Sequence, residues 1–379
     1  MPLRHQWTTM DRGSAAAGGV LIHLDIHVDE EKPRLGILEL LKTLRPQWKT
    51  EDIQMKVFTE GITNCLTGCY VGSLQEACVL VRVYGRNTEL YVDRQREVEM
   101  FQLLHAHHCG PLIYCSFHNG ICYEFVRGEV LDDRLLRQPS IFRLIAAEMG
   151  RIHSIKPPAP GPAEAVLWAR MAKLLTLVGN NVQDGPDTHS PQNVPGLPSH
   201  KVLSDEMETL KKHLSDTLSP VVLSHNDLLT KNIVYNLPEG TVKFIDYEYA
   251  DYNYQAFDIG NHFNEFAGVS DMDFSRYPSR GLQREWLRAY LESYRRASGR
   301  PSPPTETEVT ALYIQVCKFS LIRHRPTTLL LPEEGCLLQV DRGLESNVNN
   351  FNCQRVYSIM LNLFIHQPNH GHSRYTINK

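Results

Sequence analysis

Three side chains with hard oxygen donors stand at fixed spacing past the middle of the chain: Asp227, Asn232 five residues on, and Asp246 fourteen residues further. They open in Ser224-His225-Asn226-Asp227-Leu228-Leu229-Thr230-Lys231-Asn232 and close in Phe244-Ile245-Asp246-Tyr247-Glu248, with a short β-branched run leading into the second Asp. The second segment follows the first within one hairpin. Any fold that accommodates the segment must build a strand pair into its surroundings.

Those surroundings change texture along the chain. Residues 1–33 read as a flexible N-terminal segment, with a strand suggested at Leu24-Asp25-Ile26-His27-Val28. Ile37, Leu38, Leu40, Leu41 and Leu44 recur at helical spacing, and Pro46 stops that helix. From Met55 the pattern turns to strands: Lys56–Phe58, then Glu60-Gly61-Ile62-Thr63-Asn64 as a turn, Leu66–Val71 and Ala77–Tyr84. Glu89–Leu104 carries Leu90, Val98, Phe101 and Leu104 on one helical face. Ile113–Phe117 and Ile121–Val126 read as a hairpin across His118-Asn119-Gly120. Past Gly128 helices dominate, at Ile141–His153, Ser204–Leu218, 257–267, 282–296 and 306–322. A proline-rich break at Lys156–Pro162 and a Pro/Gly/Asn-rich loop at Gly179–His200 interrupt them. The order predicts an α+β chain of two lobes: a small mostly-β N-lobe over 34–127 and a larger helical C-lobe over 128–320. A tail over 321–379 is expected to be poorly ordered.

Composition excludes several functions. At 379 residues, 42% hydrophobic and 22% charged, the chain can bury two substantial cores. Its formal charge of −4 gives no hint of a nucleic-acid partner, which would favour a basic face, so none is expected. No run approaches the roughly 20 apolar residues of a membrane span. Nine scattered cysteines without a CxxC pair point to reduced thiols and a cytoplasmic setting.

The chemistry starts from the spacing. Asp227 can accept a hydrogen bond from an attacking hydroxyl and take its proton late, while Asn232 and Asp246 supply oxygens to magnesium at the phosphates of ATP. A polar turn between strands is the competing reading. Arg82 stands inside the strand Val79-Leu80-Val81-Arg82-Val83-Tyr84, and Glu97, in the apolar stripe of the next helix, is its natural partner. Such a pair can hold phosphate oxygens, although a solvent-facing edge Arg is the simpler alternative. Thr63 and Asn64 offer donors at the preceding turn. Glu124 and Phe125, in Tyr123-Glu124-Phe125-Val126-Arg127-Gly128, join the two textures where adenine would be met. His105-Ala106-His107-His108-Cys109 looks rich in metal ligands but reads as a solvated helix end. Tyr247, Tyr249, Tyr252 and Tyr254 suit either a cation pocket or the core. Glu265 suits either an amine or a solvated face.

His225-Asn226-Asp227 through Asn232, Ile245-Asp246-Tyr247-Glu248-Tyr249, and Tyr252-Asn253-Tyr254 through Asp258-Ile259-Gly260-Asn261-His262-Phe263-Asn264-Glu265 together resemble the choline/ethanolamine kinase family. Gly61-Ile62-Thr63-Asn64, Val81-Arg82-Val83-Tyr84-Gly85 and Cys122-Tyr123-Glu124-Phe125 are similar to its ethanolamine kinase branch. The resemblance runs from about residue 35 to about residue 320. It implies a protein-kinase-like fold that phosphorylates ethanolamine with MgATP, the first step of the CDP-ethanolamine route to phosphatidylethanolamine. Choline would be a weaker substrate, and a homodimer is compatible with the family. By the same resemblance Asp227 is the catalytic base, Asn232 and Asp246 hold Mg2+, Arg82 replaces the usual kinase lysine, and Tyr252, Tyr254 and Glu265 meet the amine. Neither an HRD nor a DFG triplet is present, which argues against a protein kinase.

The chain departs from the family pattern after Leu321. Where the family continues into a tryptophan-rich segment that closes the amine pocket, this sequence reads Ile322-Arg323-His324-Arg325-Pro326, and its last tryptophan is Trp286. The tail reads as a foreign segment of the kind an alternative transcript end encodes. It raises a second expectation, a catalytically impaired form that binds nucleotide or pairs with an intact kinase.

Overall fold

The central strand pair expected from the sequence is present, and the elements around it sort into two units. The computed structural model describes residues 21–58, 64–85, 88–90, 92–158, 161–180, 200–268 and 273–320. One unit takes the chain up to Ile155 together with Leu228–Asp251, and the other takes Lys156–Asp227 and the chain from Tyr252 onward.

The first unit is built on a six-stranded sheet. Its strands are β1 (His23–Leu24), β2 (Gln54–Phe58), β3 (Asn64–Tyr70), β4 (Cys78–Tyr84), β5 (Ile113–Phe117) and β6 (Gly120–Glu124), in the order β1-β5-β6-β4-β3-β2. All neighbours are antiparallel except β1 with β5. β4 is an interior strand, which explains its near-continuous apolar run. Arg82 interrupts that run, opposite Leu66 on β3 and Ile121 on β6. At the β5–β6 turn, a Cβ on Gly120 would lie 2.1 Å from the Arg82 carbonyl oxygen, so only glycine fits there.

Helix α1 (Pro33–Leu44) begins with the proline that suits a first turn and buries Ile37, Leu40 and Leu41 in a core shared with Val79, Val81 and Val83 of β4. Helix α2 (Arg94–Ala106) buries Glu97, Met100, Phe101 and Leu104 at helical spacing, so one carboxylate stands in its apolar stripe. After β7 (Glu129–Val130) and α3 (Pro139–His153), the unit is completed by β9 (Ile233–Asn236) and β10 (Thr241–Phe244) in a second sheet ordered β10-β9-β7.

The second unit is helical apart from the strand pair β8 (Val221–Ser224) and β11 (Asp251–Tyr254). Its helices are α4 (Leu167–Asn180), α5 (His200–Leu214), α6 (Gln255–Glu265), α7 (Arg280–Ala297) and α8 (Glu306–Ser320). α6 is buried on almost every side although Gln255, Asp258, Asn261, His262 and Glu265 are polar, so its burial brings polar side chains inside the unit. Trp286 and Tyr290 of α7 stack with ring centroids 5.8 Å apart, and Trp286 meets Phe263 of α6 edge-on at 5.1 Å. A Cβ on Gly260 would approach Ser320 Oγ to 2.8 Å, so this glycine sets the close approach of α6 and α8.

Several boundaries differ from the sequence expectation. The strand foreseen at Leu24–Val28 shrinks to β1, because the Ile26 N–H turns back onto the Leu24 carbonyl at 2.8 Å, and at Val28 the Asn119 side chain takes the place of a ladder partner. It accepts the Val28 N–H at 3.0 Å and donates to its carbonyl at 2.8 Å. α2 starts at Arg94, not Glu89, because Asp93 caps it by accepting the Arg96 N–H at 3.0 Å. Thr88–Leu90 is a separate single turn, and the Leu90 side chain lies outside the described residues. α5 lies about four residues earlier than expected. α4 was not foreseen, although its buried Leu167, Met171, Leu174 and Leu175 carry the periodicity.

Candidate active site

Asn232 and Asp246 are brought together by the hairpin. Ile233 pairs with Phe244, and the Ile245 N–H donates to the Asn232 carbonyl at 2.9 Å, so both side chains leave the same end of β9 and β10. Asn232 closes a tight turn over Thr230–Asn232 and is buried. Asp246 takes a positive φ of 64°, a conformation uncommon for any residue with a Cβ and one that marks functional positions.

Around Asp246 the first unit assembles a charged cluster. Arg82, 3% exposed, ion-pairs with Glu97 of α2 and donates from Nη1 to Asp246 Oδ1 at 3.2 Å. The edge-strand alternative for Arg82 is thereby excluded. The Arg82 guanidinium carbon also stands 5.6 Å from the Tyr123 ring centroid and 5.8 Å from that of Phe101. Arg94 donates from Nη1 to Glu97 Oε2 at 3.0 Å and to Glu248 Oε2 at 3.3 Å. Asn64, the first residue of β3, donates to the same Glu248 oxygen at 3.0 Å. Asp246 is ringed by protein atoms although 42% of its side chain still meets solvent. The partial desolvation, reinforced by the charge of Glu248, pushes its carboxyl up to about 6, against the opposing pull of Arg82 and Arg94.

Such a carboxylate, crowded by another and still reachable, fits a divalent cation. Among the described residues no three His, Cys, Asp or Glu side chains form a closed metal cage. The donors on offer, the Asn232 amide oxygen and the Asp246 carboxylate, suit Mg2+, which takes few protein oxygens and completes its shell with water and substrate phosphates.

Asp227 belongs to the second unit, where its approach is held rigidly. The backbone N–H groups of His225 and Asn226 both donate to the Asp258 carboxylate, at 2.9 and 2.7 Å. Asn226 has a φ of 66°, and its side-chain oxygen accepts from Asn253 Nδ2 at 2.8 Å. The Asp227 N–H donates to His225 Nδ1 at 3.3 Å. In the same unit Tyr252 is buried on β11, Tyr254 stands 5.1 Å from the Phe319 ring, and Glu265, 4% exposed, ends α6. The solvated-face alternative for Glu265 is therefore excluded.

The remaining candidates divide. Thr63 lies outside the described residues. Glu124 ends β6, with its N–H bonded to the Leu112 carbonyl at 2.8 Å and its carboxylate accepting the Leu112 N–H at 3.2 Å. The ring of Phe125 stacks near that of Phe58 on β2, with centroids 6.3 Å apart. Of the tyrosine run, Tyr247 is core: its hydroxyl donates to the Cys109 carbonyl at 2.9 Å. His105–Cys109 is the C-terminal turn of α2, with Cys109 buried. Sequence reasoning missed Arg94, Glu248, Asp258 and Phe58. Glu248 was within reach, since it stands two residues from Asp246, whereas Asp258 gave no local signal for an acceptor serving residues some thirty positions upstream.

The choline/ethanolamine kinase family model matches residues 55–326. Human ethanolamine kinase 1 is 50% identical over 296 residues, covering 78% of this chain and 65% of the human protein. The chain thus spans slightly under two thirds of that relative. Human ethanolamine kinase 2 is 49% identical over 302 residues, covering 80% of this chain and 75% of its own length. Among solved structures, a Plasmodium vivax ethanolamine kinase superposes with a TM-score of 0.67 at 25% identity, covering 77% of this chain and 80% of its own. A Cryptosporidium parvum choline kinase superposes at 0.62 with 23% identity, covering 75% and 85%, and supports the fold alone. The fold is the expected α+β, protein-kinase-like one. With a matched model over most of its length and relatives at half identity, this chain belongs to the choline/ethanolamine kinase family.

Proposed function

We propose that the protein phosphorylates ethanolamine, transferring the γ-phosphoryl group of ATP to its hydroxyl to give phosphoethanolamine. The observation that carries this reading is the Arg82–Glu97–Asp246 cluster with Asn232 at the same hairpin end, in a chain whose relatives are named ethanolamine kinases. Asn232 and Asp246 hold Mg2+, which when bound neutralises charge on the phosphates. Arg82 grips phosphate oxygens, and Glu97 fixes the guanidinium. Thr63 and Asn64 offer donors at the phosphate loop, while Glu124 and Phe125 border the adenine. Asp227 accepts the substrate hydroxyl and takes its proton as the bond to phosphorus forms. Glu265, Tyr252 and Tyr254 receive the ammonium.

Ethanolamine is favoured over choline because a primary ammonium donates hydrogen bonds to a buried carboxylate such as Glu265, whereas a quaternary one has only charge and ring faces. On this reading the nucleotide is served by residues 34–127 and the hairpin, and the amine by the helical remainder to about residue 320. The scattered cysteines without a CxxC pair favour the cytoplasm as the setting, and a homodimer is an assembly compatible with the family. No helix among the described residues is long and apolar enough to cross a membrane. No observation favours the impaired-form alternative, whose tail lies outside the described residues.

The deciding experiment incubates the purified chain with γ-labelled ATP and ethanolamine. Label should pass to the amino alcohol, Asp227→Ala should slow it by a factor on the order of 10²–10⁴, and choline should be the poorer acceptor. A folded chain that binds ATP but labels neither amine refutes the proposal.

A further inference from the structure

Beside Arg82 the first unit buries a second guanidinium that the roles above leave unassigned. Arg94 is the first residue of α2, with only 15% of its side chain exposed. Its Nη1 donates to Glu97 Oε2 and Glu248 Oε2, and its Nη2 donates to Thr88 Oγ1 at 2.6 Å and Asn64 Oδ1 at 3.2 Å. The guanidinium carbon stands 4.0 Å from the centroid of the Tyr84 ring. Four partners and a ring face therefore fix one planar fork.

The connectivity of these bonds is informative. Asn64 donates to the Glu248 oxygen that Arg94 also holds, while its own oxygen accepts from Arg94, so the three side chains close a ring. Asn64 ends the phosphate-loop segment, and Glu248 follows Asp246 by two residues. Glu97 uses one oxygen for Arg82 and the other for Arg94, so it links the two guanidiniums. Glu248, 3% exposed, sets a second carboxylate near Asp246, and Arg94 is the guanidinium that pairs with it. Arg94 thus touches Asn64, Glu97 and, at Glu248, the segment that carries Asp246.

We propose that Arg94 is a positioning residue for MgATP: its fork fixes Glu248 and Asn64 together and, through Glu97, the Arg82 that meets Asp246. This inference rests on the kinase reading only for the identity of the ligand. Its role depends on fork geometry and not on charge alone, because a lysine ammonium, a single point of donors, cannot span Glu97, Glu248, Asn64 and Thr88 at once.

The test is calorimetric binding of MgATP to the full chain, with no amine present. Arg94→Met should weaken binding about 10–100-fold, the usual consequence of losing a group that orients ligands of a metal site. Arg94→Lys should weaken it nearly as much. In a Glu248→Gln background, Arg94→Met should add less than about threefold, since the two residues act through one another. Arg94→Lys within twofold of the unmodified chain, or full additivity with Glu248→Gln, overturns the proposal. Where Arg94→Met does not fold, Arg94→Lys and Asn64→Ala replace it, and unaltered MgATP binding by both overturns the proposal equally. An unmodified chain that binds MgATP but phosphorylates no amine breaks the kinase reading and leaves this one testable. One that binds no MgATP overturns both.

Discussion

Replacing Asp258 by Asn tests whether the approach to Asp227 is held from a distance. Asp258 is 1% exposed and accepts two backbone N–H groups, from His225 at 2.9 Å and Asn226 at 2.7 Å. Hydrogen bonds to a charged acceptor contribute about 1.5–3 kcal/mol each, and a buried N–H left without an acceptor costs about 1–3 kcal/mol. Asparagine keeps the shape and one acceptor oxygen but presents its NH2 to the other N–H. The lost bond and the orphaned donor are one event seen from its two partners, a net destabilisation of roughly 2–3 kcal/mol. In a folding unit of 150–250 residues that lowers the melting temperature by about 4–12 °C. Calorimetry on the unmodified and Asp258→Asn chains measures the shift directly. Asn226 sits at a φ of 66° immediately before Asp227, so releasing its N–H also frees the base. The transfer rate at saturating ATP should therefore fall while nucleotide affinity stays within about twofold. A variant that melts within 1 °C of the unmodified chain, with unaltered turnover, would refute the reasoning.

Two further outcomes follow from the first unit. The Asp246 carboxyl is pushed up to about 6 by partial desolvation and Glu248, so the folded chain holds this proton more tightly than the unfolded one. Between an unfolded value near 4 and about 6, stability from this group is present on the acid side and is lost as pH rises. Asp246→Asn should accordingly raise the melting temperature at pH 7.5 and give little gain at pH 4, and a gain that grows on acidification contradicts the assignment. Gly120→Ala forces a Cβ to within 2.1 Å of the Arg82 carbonyl and 2.4 Å of the Phe117 ring. Overpacking of this kind costs about 1–3 kcal/mol or more, and an unchanged urea midpoint would show that the β5–β6 turn yields more easily than its geometry implies.

What was legible in the sequence tracks how local each signal is. The β-branched runs, the stripe of α2 with a carboxylate in it, and the spacing of Asn232 and Asp246 are all local, and each corresponds to an observed element. The partnership of Arg82 with Glu97 was readable because a charge inside an apolar strand and a carboxylate inside an apolar stripe demand one another. Arg94 was missed because it opens its helix, where an arginine looks solvated, and its partners come from four separate segments. Asp258 was missed for the related reason that its acceptor role is fixed by tertiary packing and not by its neighbours in sequence. The β1 boundary failed because the Ile26 N–H turns back onto the Leu24 carbonyl, and an Asn119 side chain, not a strand, serves the backbone at Val28.

The sheet-rich unit is discontinuous in sequence, being finished only by Leu228–Asp251. During synthesis its first portion leaves the ribosome long before β9 and β10 exist. The interruption is about seventy residues, and with the hairpin itself about a hundred must be made before the unit is whole. At 5–20 residues per second this is a wait of roughly 5–20 s. Through that interval β7 has no strand beside it, and Arg82 and Arg94 have Glu97 but lack Asp246 and Glu248. A nascent chain paused there carries an unfinished sheet edge and two guanidiniums that share the single carboxylate of Glu97. A fragment ending near residue 155 would carry both defects permanently.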